Sequence, residues 1–231
     1  MPLLTPFETE ALLLSLKVAT AAVVCSLPFA VAAAWVLARK EFPGKSAFNA
    51  LVHLPLVVPP VVIGYLLLVT LGRRGIVGAW LDETFGIVVA FTWVAAAIAS
   101  GVMAFPLTVR AIRLSIEAVD TRLEGVARTL GASPLRVLAT VTLPLTLPGI
   151  VAGVALGFAR CLGEFGATIT FASNIPGATR TLPLALYTSL NIPGGEASAV
   201  RLVILSLVLA FVSLGVSELM ARRVSRLVGG C

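Results

Sequence analysis

The chain has 231 residues, 58% hydrophobic and 12% charged, with a formal net charge of +6 and a mean hydropathy of +1.04. Soluble domains carry about 25% charged residues, and a water-soluble monomer of this size lacks the interior to hide so much apolar side chain. Disorder, a disulfide scaffold and a cytosolic enzyme are excluded, which leaves a membrane protein. At about 20 apolar residues per crossing, the length holds roughly five to seven spans and no separate soluble domain. Residues 1–231 therefore read as one all-α, polytopic transmembrane domain.

The first apolar run, about 11–37, follows Glu8 and Glu10 rather than a basic segment and is too long for a signal-peptide core, so it reads as a retained span. Arg39, Lys40 and Lys45 come next, around a Pro43-Gly44 turn. A second span is predicted over about 51–71, although it contains Pro55, Pro59 and Pro60, and a third over about 87–109. From Arg110 to Arg136 charges alternate with Leu114, Val119, Leu123, Val126 and Leu130 at helical spacing, the pattern of an amphipathic helical region. The apolar stretch Val137–Phe171 would be about 52 Å long as one helix. It is expected to divide at Pro144 and Pro148, giving a short interfacial piece and a span over about 148–170. Residues 174–198 are turn-rich, with Leu182–Leu190 able to dip into the membrane, and a fifth span covers about 200–220.

Basic residues set the expected orientation. With the amino terminus outside, residues 39–48, 110–136 and 222–231 face the cytoplasm and hold eleven of the seventeen Lys and Arg, as the positive-inside rule requires. Arg222, Arg223 and Arg226 then lie inside, and a sixth crossing within 174–198 would put them outside. The net positive charge is thus a topology signal rather than a nucleic-acid footprint.

Catalytic and metal patterns are absent from the sequence. His53 is the single histidine, Cys25, Cys161 and Cys231 are scattered, and neither a phosphate-binding Gly-Lys-Ser loop nor a His-Glu-x-x-His pair occurs. Ser100-Gly101 reads as a small-residue packing pair. The chain is expected to be neither an enzyme nor a cofactor carrier.

The informative stretch begins at Arg122. It reads as a charged helix with an apolar stripe of Leu123, Val126, Ala127 and Leu130, stopped by Gly131 as a C-terminal cap. Ser133-Pro134 can then open the next helix. A solvated loop does not need such a stripe, whereas a loop built to dock into a partner does; a helix resting on the bilayer surface is the alternative.

This stretch resembles the cytoplasmic signature loop of ABC-importer permeases, written EAA, three residues, Gly, nine residues, I-x-L-P. Gly131 is followed by nine residues and then Val141-Thr142-Leu143-Pro144. The first half departs from the pattern: position 125 is Gly, and Glu124 stands one place earlier. That displaced form, Leu-Glu-x-x-Ala-Arg-Thr-Leu-Gly, is similar to the molybdate-importer branch of the family. So are FPGK (42–45), HLPLVVPPVVIGYLLL (53–68), GRRG (72–75), FPLTVRAIRL (105–114), TLPLTLPGI (142–150), FARCLGEFGATITFASNIPG (158–177) and PGGE (193–196).

The resemblance implies a type I ABC-importer permease of the inner membrane carrying molybdate or tungstate. It further implies a homodimer, two ATP-hydrolysing subunits below and a periplasmic oxyanion-binding protein above. The coupling surface for the ATPase would comprise Arg122, Leu123, Glu124, Ala127, Arg128, Leu130, Gly131, Ser133 and Pro134. A sulfate-type oxyanion permease is the alternative within this class. A stand-alone secondary transporter would be expected to carry inverted repeats around a midplane site, and no such repeat is legible.

Two features inside the spans are candidates for the translocation path or its gate. Arg160 and Glu164 are charges deep in a span, and such charges normally face a bundle interior, where they would lock two helices as a structural pair, or a water-filled path. At i, i+4 on one helix they could pair. The Pro59-Pro60 pair would bend its span, either as fixed curvature or as a hinge.

Overall fold

The structure, a computed structural model, describes residues 4–228; the Cys231 position lies outside them. All regular structure among the described residues is helical. Thr5 opens α1 (Pro6–Arg39) with a reciprocal cap: its hydroxyl accepts from the Glu8 N–H, while the Glu8 carboxylate accepts from the Thr5 N–H. The helix is thus longer at both ends than the expected span of 11–37.

The second predicted span is two helices, α2 (Lys45–Val57) and α3 (Pro60–Leu71), bent by 111° at the break between them. Pro59 and Pro60 have no N–H to continue the α2 ladder, so the chain leaves the helix at Val58 and restarts with Pro60 in the first turn of α3. A short helix, α4 (Ile76–Phe85), follows. The third predicted span is α5 (Trp93–Ala118), which starts later and runs further than the 87–109 expected. Residues 110–118 of the presumed amphipathic loop therefore belong to the bundle. The chain then breaks at Val119-Asp120 and enters α6 (Thr121–Thr129).

A second correction concerns Pro144 and Pro148. The chain does not divide there: α7 (Pro134–Val137), a π-helical turn (Leu138–Thr142) and α8 (Leu143–Leu162) form one continuous 29-residue helix. The wide turn shifts the hydrogen-bond register just ahead of Pro144, with the Leu143 N–H reaching the Leu138 carbonyl. The break falls instead at Gly163–Phe165, before α9 (Gly166–Phe171). Next, α10 (Leu182–Leu190) is about 13 Å long at 1.5 Å per residue, too short to cross, and Leu182, Leu184 and Ala185 are buried. The last helix, α11 (Glu196–Val228), exceeds the expected 200–220. Among the described residues, four helices are long and apolar enough to cross a membrane, or five if the bent α2–α3 pair is one span.

The bundle is organised around α1, α5 and α8. Small side chains let α1 approach α5 closely, with Ala19, Ala22, Ala95, Ala96 and Ala99 all buried. Gly149, Gly153 and Gly157 recur every four residues along α8 and meet Ser115, Ile112 and Thr108 of α5. Ascending numbers meet descending ones, so α8 runs antiparallel to α5. By contrast α1 and α5 run together, since Lys17 lies over the Trp93 ring at one end and Arg39 reaches Val119 at the other.

Candidate functional site

The candidate coupling region is built from local signals that the sequence carries. Asp120 caps α6 by accepting from the Arg122 N–H at 2.9 Å. Gly131 ends the turn with φ +85°, the left-handed backbone that glycine adopts without strain. The Ser133 hydroxyl accepts from the Arg136 N–H, and Pro134 occupies the first turn of α7. Between these caps the chain turns its apolar residues outward: Leu130 is 82% exposed and Leu135 78%, with Leu123 and Val126 about half exposed. Arg122, Arg128 and Arg136 are exposed around them, and Ala127 is half-buried.

Glu124 behaves differently from the other residues of this surface. It is buried, and its Oε1 accepts from Arg39 Nε at 3.1 Å and from the Thr142 hydroxyl at 2.9 Å. Neither partner stood out in the sequence. Arg39 reads there as one of several basic residues at a span end, and Thr142 as part of an apolar run.

The two gate candidates are brought together at the far end of α8. Eighteen residues separate Arg160 from Thr142, about 27 Å along the helix at 1.5 Å per residue. Arg160 Nη1 and Glu164 Oε2 pair at 2.6 Å, as the i, i+4 spacing predicts. The pair does not sit within one uninterrupted helix, however. Glu164 lies in the break after α8, is 2% exposed, and its Oε1 accepts from the Ala167 N–H at 2.9 Å in the first turn of α9. The carboxylate thus joins two helix ends. Gly166 of α9 lies against Pro60, where an added Cβ would stand 2.8 Å from the proline ring. Gly64 of α3 meets the Ala167 carbonyl as closely, at 2.6 Å from such a Cβ. The Pro59-Pro60 break and the Glu164 break are therefore one packed unit, a juxtaposition that sequence spacing could not reveal.

At the same end of the bundle Glu8 is buried and joins α1 to α11, accepting from Arg201 Nε at 2.8 Å and from the Ser198 hydroxyl at 3.1 Å. The Ser15 hydroxyl of α1 accepts from the Leu182 N–H at 2.7 Å, which caps α10 from a neighbouring helix. Among the described residues no cluster of His, Cys, Asp and Glu could hold a metal ion.

Residues 26–226 match the sequence model of the family described as binding-protein-dependent transport system inner membrane component. The chain belongs to that family. It is a multi-pass inner-membrane permease, with the fold of ABC-importer permeases. It is 60% identical over 220 residues to the molybdenum transport system permease protein ModB of Escherichia coli (strain K12), covering 95% of this chain and 96% of that one. The ModB protein of Haemophilus influenzae is 54% identical over 222 residues, covering 96% and 97%. Among solved structures, the permease fold aligns with an inward-facing methionine ABC transporter, MetNI, with a TM-score of 0.67 at 18% identity and 95% of each chain covered.

Proposed function

We propose that this chain is the membrane-spanning subunit of an ATP-driven importer that carries molybdate across the inner membrane. Hydrolysis is assigned to a separate subunit, and no chemistry to the permease itself. The observation that supports this reading best is the outward-turned apolar stripe of α6, capped at both ends and carried at one end of the bundle. A helix of this kind docks into a groove through its apolar anchors, here Leu123, Ala127 and Leu130. Arg122 and Arg128 at the rim set its orientation. Gly131, Ser133 and Pro134 fix the direction in which the chain returns to the bundle.

In this reading two permeases pair, two ATPase subunits bind their coupling helices, and a periplasmic oxyanion-binding protein docks on the opposite face. The α6 end, where Arg39 and Lys40 also lie, is cytoplasmic, with the amino terminus periplasmic and the carboxyl terminus cytoplasmic. Pro59, Pro60, Arg160 and Glu164 then belong to the periplasmic side of the translocation path, where two broken helices meet. Near-complete alignment with proteins named for molybdenum transport supports the choice of substrate.

The test is reconstitution of the permease with its ATPase and binding protein in liposomes. ATP hydrolysis should rise when the binding protein is loaded with molybdate, and molybdate should accumulate inside. Stimulation by sulfate in place of molybdate would move the assignment to the sulfate-type branch. Accumulation by the permease alone, driven by an ion gradient, would overturn it.

A further inference from the structure

The coupling helix hangs from the bundle by one side chain. Among the described residues, every side-chain hydrogen bond from α6 to another helix ends on Glu124 Oε1. The remaining polar bonds of α6 are local, with Asp120 accepting from Arg122 N–H and the Thr129 hydroxyl donating to the Val126 carbonyl. Its larger apolar residues, Leu123 and Val126, do not fasten it either, because they are about half exposed.

The partners of Glu124 belong to the two long helices that line the bundle. Arg39 is the last residue of α1, and its guanidinium spans two acceptors: Nε and Nη2 reach Glu124 Oε1, both at 3.1 Å, while Nη2 also reaches the Val119 carbonyl at 3.0 Å. That carbonyl lies just past the end of α5, where a helix leaves its last acceptors without intrahelical partners. Arg39 therefore closes the break between α5 and α6 and holds α6 at the same time. A planar fork of donors can do both, whereas a lysine ammonium cannot keep that geometry. Thr142 is the last residue of the π-helical turn and is 1% exposed. One extra residue in that turn rotates everything after it by about 100° relative to an unbroken α-helix. The turn thus decides whether the Thr142 hydroxyl faces Glu124. The ion pair is largely screened from water, with side-chain exposures of 13% for Arg39 and 9% for Glu124. At that depth a charge that loses its partner is strongly disfavoured.

We infer that Arg39 and Thr142 are positioning residues for coupling, and that with Glu124 they form the strut through which displacement of α6 reaches α1 and α8. Glu124 is then an internal attachment, and the docking surface for the ATPase is made by the other residues of α6. The inference rests on the functional reading above. Force applied to the exposed stripe passes through one carboxylate oxygen into two helices at once, and α8 carries it to the Arg160–Glu164 break.

The experiment uses the whole importer, with the permease, its ATPase and its binding protein purified together. Glu124→Gln keeps the side-chain shape and removes its charge, Arg39→Gln removes the fork, and Thr142→Val keeps volume and removes one donor. The ATPase should still co-purify with each. Molybdate transported per ATP hydrolysed should fall about tenfold in Glu124→Gln and Arg39→Gln, and about threefold in Thr142→Val, in line with the loss of charged and neutral-donor hydrogen bonds to a buried group. Basal hydrolysis should persist and lose its dependence on loaded binding protein. Arg39→Lys should fall between wild type and Arg39→Gln. If the variants assemble less complex but the complex that forms keeps the wild-type ratio, the cluster is merely structural and the inference is overturned. Wild-type ratios and stimulation in all variants overturn it as well. Absence of molybdate-dependent hydrolysis in the wild-type complex would instead overturn the functional reading, so the two failures are distinguishable.

Discussion

Two glycines six residues apart on the coupling region should respond oppositely to the same substitution. An added Cβ meets nothing within 4 Å at either Gly125 or Gly131, so neither change creates a clash within the chain. They differ in backbone. Gly125 lies inside α6, whereas Gly131 holds φ +85°. Gly125→Ala should favour the helix by about 0.5–1 kcal/mol, because glycine has more chain entropy to lose. Gly131→Ala should cost about 1–2 kcal/mol, the penalty for a Cβ in the left-handed region. Gly131→Val should cost more, because a branched side chain is more restricted there. Gly131→Asn should cost less than Ala, since asparagine tolerates that conformation. Through the factor of ten per 1.36 kcal/mol, Gly131→Ala is expected to weaken ATPase retention about five- to thirtyfold. Gly131→Val should abolish uptake, while Gly125→Ala and Gly131→Asn stay near wild type. Co-purification of the ATPase at graded salt, alongside molybdate uptake in cells, gives the ranking. If Gly131→Asn fails as badly as Gly131→Val, side-chain volume rather than backbone handedness governs the site. If Gly131→Val behaves as wild type, the left-handed cap has no role in coupling.

The Arg160–Glu164 pair predicts that either single change to Ala impairs transport more than a double change to a neutral hydrogen-bonding pair. Leaving one buried charge unpaired costs about 3–5 kcal/mol, while replacing both can be close to neutral; normal uptake by both single variants would refute the pairing. Gly64→Ala should lower the unfolding temperature of the detergent-solubilised chain more than Gly101→Ala. The first Cβ would stand 2.6 Å from the Ala167 carbonyl, and the second 3.5 Å from that of Ala22. Ser15→Ala should cost about 1–2 kcal/mol by leaving the Leu182 N–H without its acceptor. It should also speed proteolysis near α10, and unchanged protection would refute the cap. Impermeant thiol labelling of Cys231 in sealed cells, with Cys25 and Cys161 replaced, should be weak; ready labelling would refute a cytoplasmic carboxyl terminus.

What was legible in the sequence was mostly what is local. The Gly131 and Ser133-Pro134 signals placed the end of α6 and the start of α7, because caps act over three or four residues; the Asp120 cap at the start of α6 was there to be read and was missed. The Arg160–Glu164 pair was readable for the same reason. Helix breaks inside apolar runs were not. Hydropathy stays high through Val57–Pro60, and prolines are tolerated within many spans, so composition could not separate a kink from a 111° turn. The error at Pro144 was the reverse: a π-helical turn, which leaves no compositional trace, let the helix continue. Glu124 shows the wider gap. Its helical position says which way it points, but its partners, Arg39 and Thr142, are 85 and 18 residues away. Only the assembled bundle identifies them.

The Glu8–Arg201 contact has a consequence for how the chain threads the bilayer. It sets the first turns of α1 and α11 side by side, and both helices lead away from that point, α11 packing along α8. The first and last long helices therefore descend in the same direction. Only an odd number of crossings has that parity, whichever face is cytoplasmic. Between α1 and α11 the chain cannot gain or lose a single span without parting Glu8 from Arg201. Reporters fused to its two ends should always occupy different compartments.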